Sequence, residues 1–138
     1  MIVPYVVFQS IGALAAGLVL RVVFRPNASS HYLGSTMLSV NTALGFALET
    51  IGTFTLAFVI LRVSTGEKDL KFQALTVGLT LFALILTLGA FTGASFNPAR
   101  SIGPAVVSGH LDDLWLFITA PLTGGAFAAI VERTRSRG

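Results

Sequence analysis

The 138 residues contain no cysteine. That excludes disulfides and thiolate chemistry and leaves the redox compartment unreadable. Two histidines and six acidic residues give little material for a metal centre, and no cofactor is expected. Charge is scarce as well. Only 11% of the residues are charged, against about 25% in soluble domains. By contrast 54% are hydrophobic, and the mean hydropathy is +0.82. A soluble chain this short could not hide so much apolar surface, which excludes an ordinary soluble enzyme and a disordered segment. The formal charge is +3, but nine basic residues produce it. In so apolar a chain that excess reads as membrane topology, not as a nucleic-acid footprint.

The apolar residues fall into blocks. The first runs from Met1 to Phe24, with no charge before Arg21. About 20 apolar residues suffice to span a bilayer. Ala13-Leu14-Ala15 mimics a signal-peptide cleavage site, but no basic n-region precedes it and the apolar run is long, so a spanning helix is expected. The second block runs from Val40 to Leu61, interrupted by Glu49, and the fourth from Leu114 to Val131. The third, Phe72 to Ala99, carries no charge and is too long for one simple helix across a core of about 30 Å. The expected fold class is an all-α membrane protein of four transmembrane helices and one re-entrant half-helix, in a single domain over 1–138.

Polar connections separate the blocks: 25–31, 64–69, 108–113 and a basic tail, 132–138. Asn27-Ala28-Ser29 matches a glycosylation sequon, a pattern common by chance. His31 and His110 fall in loops without a partner at ligand spacing and are read as solvated residues. Four spans put both chain ends on one face, with Arg62, Lys68, Lys71, Arg133, Arg135 and Arg137. Arg21, Arg25 and Arg100 fall on the other side. The positive-inside rule then predicts a cytoplasmic C-terminus, with the plasma membrane as the expected location. Gly12, Ala13, Ala16 and Gly17 on span one, and Gly124, Gly125, Ala128 and Ala129 on span four, are spaced for close helix contact. Such packing indicates a bundle, not a function.

The end of the third block carries the chemistry. Asn97 is a good N-cap and Pro98 a good first helical residue, while Gly93 and Ser95 break the helix before them. A helix of about ten residues beginning there would be about 15 Å long, half the hydrocarbon core. A half-helix starting inside the membrane aims free N–H groups and a positive dipole end into the interior. Non-helical backbone at that depth is tolerated only where it is buried in protein or lines a water-filled cavity. Arg100 sits one turn in. On charge alone, snorkelling to the interface accounts for it as well as a pore does, but with Asn97-Pro98 beside it the pore reading leads. Facing a narrow pore, its guanidinium would donate to neutral polar solutes and repel cations. Glu49 is expected inside the bundle as a structural acceptor, and Gln9 as a polar contact between helices. The spans hold no Ser/His or acid pair for catalysis, so no enzyme is expected.

Ser95-Phe96-Asn97-Pro98-Ala99-Arg100-Ser101-Ile102-Gly103-Pro104-Ala105 resembles the second signature loop of the aquaporins, the major intrinsic protein family. Pro4-Tyr5 with Gln9 and Gly12 resembles the family's third helix, Glu49 to Phe54 its fourth, and Trp115 to Gly125 its sixth. The resemblance implies an aquaporin-like bundle in which two helices and a first Asn-Pro-Ala half-helix have no counterpart among these residues. It implies that Asn97, Pro98 and Ala99 form the pore motif, with Asn97 donating to water. It implies that Arg100, Ile85 (where water-selective members have histidine) and Ala94 form the selectivity filter, and that Glu49 braces the signature loop. Ile85 and Ala94 make a wider, less polar filter, similar to that of plant vacuolar-membrane members, while Ser101 and Ala105 stand where glycerol facilitators have Asp and Lys. The implied function is a channel for water and other small neutral solutes in a lipid bilayer, as a homo-oligomer or with a separate N-terminal half-channel. The alternative is a truncated, non-conducting fragment or assembly partner of full-length relatives.

Overall fold

A computed structural model describes residues 2–24, 32–66 and 69–136. The sequon, Arg25, His31, Lys68 and Arg137 lie outside the described residues. Five α-helices are described: α1 (Ile2–Val23), α2 (Thr42–Gly66), α3 (Leu70–Thr92), α4 (Pro98–Ser108) and α5 (Leu114–Arg135). All but α4 are long and apolar enough to cross a membrane. With 22 to 25 residues they are about 33–38 Å long. α4, with 11 residues, is about 16 Å long.

The helix ends follow from local chemistry. Asn41 caps α2, its Oδ1 accepting from Leu44 N at 2.9 Å. Asp69 caps α3 by accepting from Lys71 N at 2.8 Å. Gly93 ends α3 in the left-handed region (φ 75°), returning its N–H to Gly89 O. A side chain there would be strained and would meet the Thr36 backbone at 3.2 Å. Asn97 and Pro98 start α4, as the sequence predicts, and Gly109 in the left-handed region ends it. α5 runs four residues past the expected end at Val131, so Glu132 to Arg135 continue a helix instead of forming a loose tail.

α2 and α5 pack most extensively, α1 crosses α4, and α3 lies against α2. Small residues set these crossings, though only half of each expected set takes part. A Cβ on Gly124 would lie 2.3 Å from Thr50 O, and one on Gly103 only 2.3 Å from Ala13 O. Gly17 faces Val107 in the same α1–α4 crossing. Gly12 and Gly125 face open space, and Ala16 and Ala129 are exposed. Arg21 donates to Val107 O near the end of α4, where free carbonyls favour a cation. Leu116, Phe117 and Ala120 of α5 form the core, with Leu38 and Phe46 against them. The broad outer faces of α1 and α3 stay exposed.

Candidate functional site

The loop between α3 and α4, residues 93–97, folds back into the bundle. Two of its residues, Ala94 (φ 48°) and Phe96 (φ 51°), adopt the left-handed region, which costs about 1–2 kcal/mol each without glycine. Glu49 holds them there. Its Oε1 accepts from Thr92 Oγ1 at 2.6 Å and Ser95 N at 2.9 Å, and its Oε2 from Phe96 N at 2.9 Å. The carboxylate is fully buried. A charged acceptor satisfying two loop N–H groups and a hydroxyl is worth far more in a dry interior than at the surface. The Phe96 ring sits where a Cβ on Gly52 would be, so α2 offers both the carboxylate and a flat seat for the loop.

A chain of hydroxyls fixes the other side of the loop. Ser95 Oγ lies 2.6 Å from Ser101 Oγ, which lies 2.7 Å from Thr36 Oγ1. Ser95 Oγ also donates to Asn97 O at 3.0 Å. The segment before α2 is thereby tied to the start of α4. Ser35 Oγ reaches Ser108 Oγ at 2.9 Å, and Ser39 N donates to Phe91 O.

The two most polar positions of the motif are then set. Asn97 Oδ1 accepts from Ala99 N at 3.0 Å. With its oxygen spent on the helix end, the planar amide leaves its NH₂ available to a solute. Arg100 donates through Nη1 to Gly34 O at 3.1 Å and through Nη2 to Gly93 O at 3.2 Å. Two backbone carbonyls thus orient the guanidinium, and its remaining donors have no partner among the described residues.

A cavity of about 520 Å³ gathers Ile85, Ala94, Asn97, Pro98 and Arg100, which the resemblance implies for the pore. Gln9, expected as a buried polar contact between helices, is instead exposed and lines the same cavity. So do Thr53 and Leu56 from the middle of α2 and Pro121 and Leu122 from α5, which puts the start of α4 level with the middle of the long helices. The lining is mostly apolar, with polar groups at few points, as small-molecule sites are. Thr53 Oγ1 is the buried side-chain atom without a hydrogen-bond partner among the described residues. Ala99 and Glu49 stand behind the wall, the one in the first turn of α4 and the other under the loop. Among the described residues no group of three or more His, Asp or Glu side chains could hold a metal ion.

Sequence reasoning missed the Thr36–Ser101–Ser95 chain and the partnership of Glu49 with Thr92. It also misplaced Glu132, expected in the tail and in fact buried against Arg135 and Arg62. His110 is partly exposed, beside Asp112 and Asp113 at a small cavity of about 110 Å³.

The class these features define is an integral, multi-pass, all-α membrane protein with a half-helix that starts within the bundle. Comparison with known proteins carries this one step further. The description "Major intrinsic protein" matches residues 1–132, and the chain belongs to that family. It is 38% identical to aquaporin NIP3-1 of Arabidopsis thaliana over 132 residues, covering 91% of this chain and 41% of the relative. It is 38% identical to nodulin-26 of Glycine max over 128 residues, covering 92% and 46%. It is 37% identical to the glycerol uptake facilitator protein-like 6 of Lactiplantibacillus plantarum over 136 residues, covering 95% and 63%. The chain thus spans less than two thirds of the length of these relatives.

Proposed function

We propose that this chain forms part of the wall of a membrane channel for passive flow of water and other small neutral solutes. The observation that carries the reading is the cavity level with the middle of the long helices. It joins Gln9, Ile85, Ala94, Asn97 and Arg100 from separate parts of the sequence. Membership of the family supports it, as do the relatives named as an aquaporin and as a glycerol uptake facilitator-like protein.

In this reading the Asn97 amide donates to a water oxygen, and the positive end of α4 orients the molecule as it passes. Arg100 offers further donors and repels cations, as fixed charges do in selective pores. Leu56, Ile60, Leu81 and Leu122 offer passing water no hydrogen bonds, so it is not held. Ile85 and Ala94 leave room for solutes larger than water. No bond is made or broken, and the chain is not an enzyme. The remaining walls come from further polypeptide: upstream residues of the same protein, a second copy or a separate N-terminal half. The tail faces the cytoplasm, and the membrane is the plasma membrane. A second reading is a non-conducting assembly partner. The exposed apolar faces of α1 (Tyr5, Phe8, Ile11) and α3 (Leu75, Leu79, Phe82) favour it, since they could pack on relatives.

Stopped-flow light scattering on proteoliposomes holding this chain tests the channel. Fast shrinkage in an osmotic gradient, lost in an Asn97→Leu/Arg100→Val double variant, is the expected result. Glycerol and urea gradients on the same vesicles then read the solute range. A rate equal to that of empty liposomes, with insertion verified, removes the self-assembled pore and leaves a chain that needs its walls from other polypeptide, or the assembly partner.

A further inference from the structure

Glu132 and the arginines around it take no part in the pore. α2 and α5 end near one another, and a cavity of about 380 Å³ opens between their last turns. Arg62, Thr65, Glu132, Arg133, Arg135 and Ser136 are among its lining residues. The Glu132 side chain is only 10% exposed. Its Oε1 accepts from Arg135 Nη2 at 2.7 Å and lies 3.7 Å from Arg62 Nη1, while its Oε2 accepts from Arg135 Nε at 3.2 Å. The carboxylate therefore holds two guanidiniums in place instead of leaving them to wander on long stems.

Three arginines against one carboxylate leave two surplus positive charges in the cavity. The Arg62 and Arg135 side chains stay 43% and 50% exposed, so donors not spent on Glu132 face outward. The Arg133 guanidinium has no ion-pair or hydrogen-bond partner among the described residues. Two helix C-termini would by themselves repel an anion. Here part of that carbonyl surface is spent. Thr65 Oγ1 donates to Leu61 O and Arg62 O, Ser136 Oγ to Arg133 O, and Ser136 N to Glu132 O. The site lies at the ends of two membrane-length helices, the level of lipid headgroups. Ile130 and Val131, next to it on α5, are exposed and apolar, as an acyl chain alongside requires.

We propose that this cavity binds the phosphodiester headgroup of an anionic membrane lipid. Arg62, Arg133 and Arg135 contact the phosphate, and Glu132 is the positioning residue. Basic pockets between membrane helices suit such headgroups.

The test uses the purified full chain in mild detergent, with thermal unfolding followed during titration of phosphatidylglycerol or phosphatidylcholine. Phosphatidylglycerol is expected to stabilise the chain at about tenfold lower concentration than phosphatidylcholine. Arg133→Gln, which breaks no contact within the protein, should weaken that binding about fivefold, as the loss of one interfacial basic residue does. Arg62→Gln should act in the same direction. Lys71→Gln, on the same face but outside the cavity, should leave binding within about twofold. Equal stabilisation by the two lipids overturns the proposal. So does a Lys71→Gln loss as large as that of Arg133→Gln, which would mean a diffuse surface charge. Inorganic phosphate acting at the same concentration as phosphatidylglycerol also overturns it, since the ligand would then be a free anion and not a lipid.

Discussion

Glu49→Ala is expected to lower stability by about 3–5 kcal/mol and to abolish any water flow the chain supports. The substitution strands three donors in the interior: Thr92 Oγ1, Ser95 N and Phe96 N. A buried donor left unsatisfied costs about 1–3 kcal/mol, and the three are coupled, so the sum is less than additive. Ala94 and Phe96 lose what holds them at positive φ, and relaxation of the loop would carry Asn97 away from the cavity. Glu49→Gln separates charge from shape. It keeps one acceptor oxygen but turns an NH₂ toward a donor, so it should fall between the native protein and the alanine variant. Thermal unfolding in detergent beside vesicle shrinkage reads both effects. An alanine variant as stable as the native protein would sink the bracing role.

Gly103→Leu is the second large effect. α1 reaches the rest of the bundle through α4 and the turn at Tyr32–Gly34. At that crossing a Cβ on Gly103 would sit 2.3 Å from Ala13 O and 2.4 Å from Ala13 C, both backbone atoms that cannot swing aside. Overpacking of a tight contact costs about 1–3 kcal/mol, and a full leucine belongs at or above the top of that range. Gly12→Leu is the control on α1, the other helix of the crossing, because nothing lies within 4 Å of its Cβ position. It should be close to neutral. Equal stability of the two variants, measured by thermal unfolding in detergent, would contradict the α1–α4 crossing.

What could be read from the sequence depended on how local the signal was. Asn97-Pro98 and Gly109 mark the ends of α4 within 13 residues, because capping is a short-range matter. The spans were legible because apolar length alone defines them. That Ile85, Ala94 and Arg100 share a cavity came from resemblance, since nothing in spacing places α3 beside α4. The Thr36–Ser101 contact, 65 residues apart, carries no sequence signal at all: serine and threonine look alike in loops and cores. Glu132 was misread because three arginines follow it in the sequence between 132 and 138. Only the continuation of α5 beside the end of α2 turns that carboxylate inward. Gly12 and Gly17 look equivalent as small residues, and only the direction of the α1–α4 crossing separates them.

The central claim is that water reaches the Asn97 cavity, level with the middle of the long helices. Because the chain has no cysteine, any thiol introduced is unique. Ile85 lines the cavity, whereas Leu86, the next residue on α3, is exposed outside it. Thiols react as thiolates, which form where water reaches. The measurement is the labelling rate of Ile85→Cys and Leu86→Cys in sealed proteoliposomes by a charged, water-soluble thiol reagent. The account predicts that Ile85→Cys reacts at least about tenfold faster than Leu86→Cys. Equal rates, or no reaction at Ile85→Cys, would mean a dry surface where the pore wall is placed.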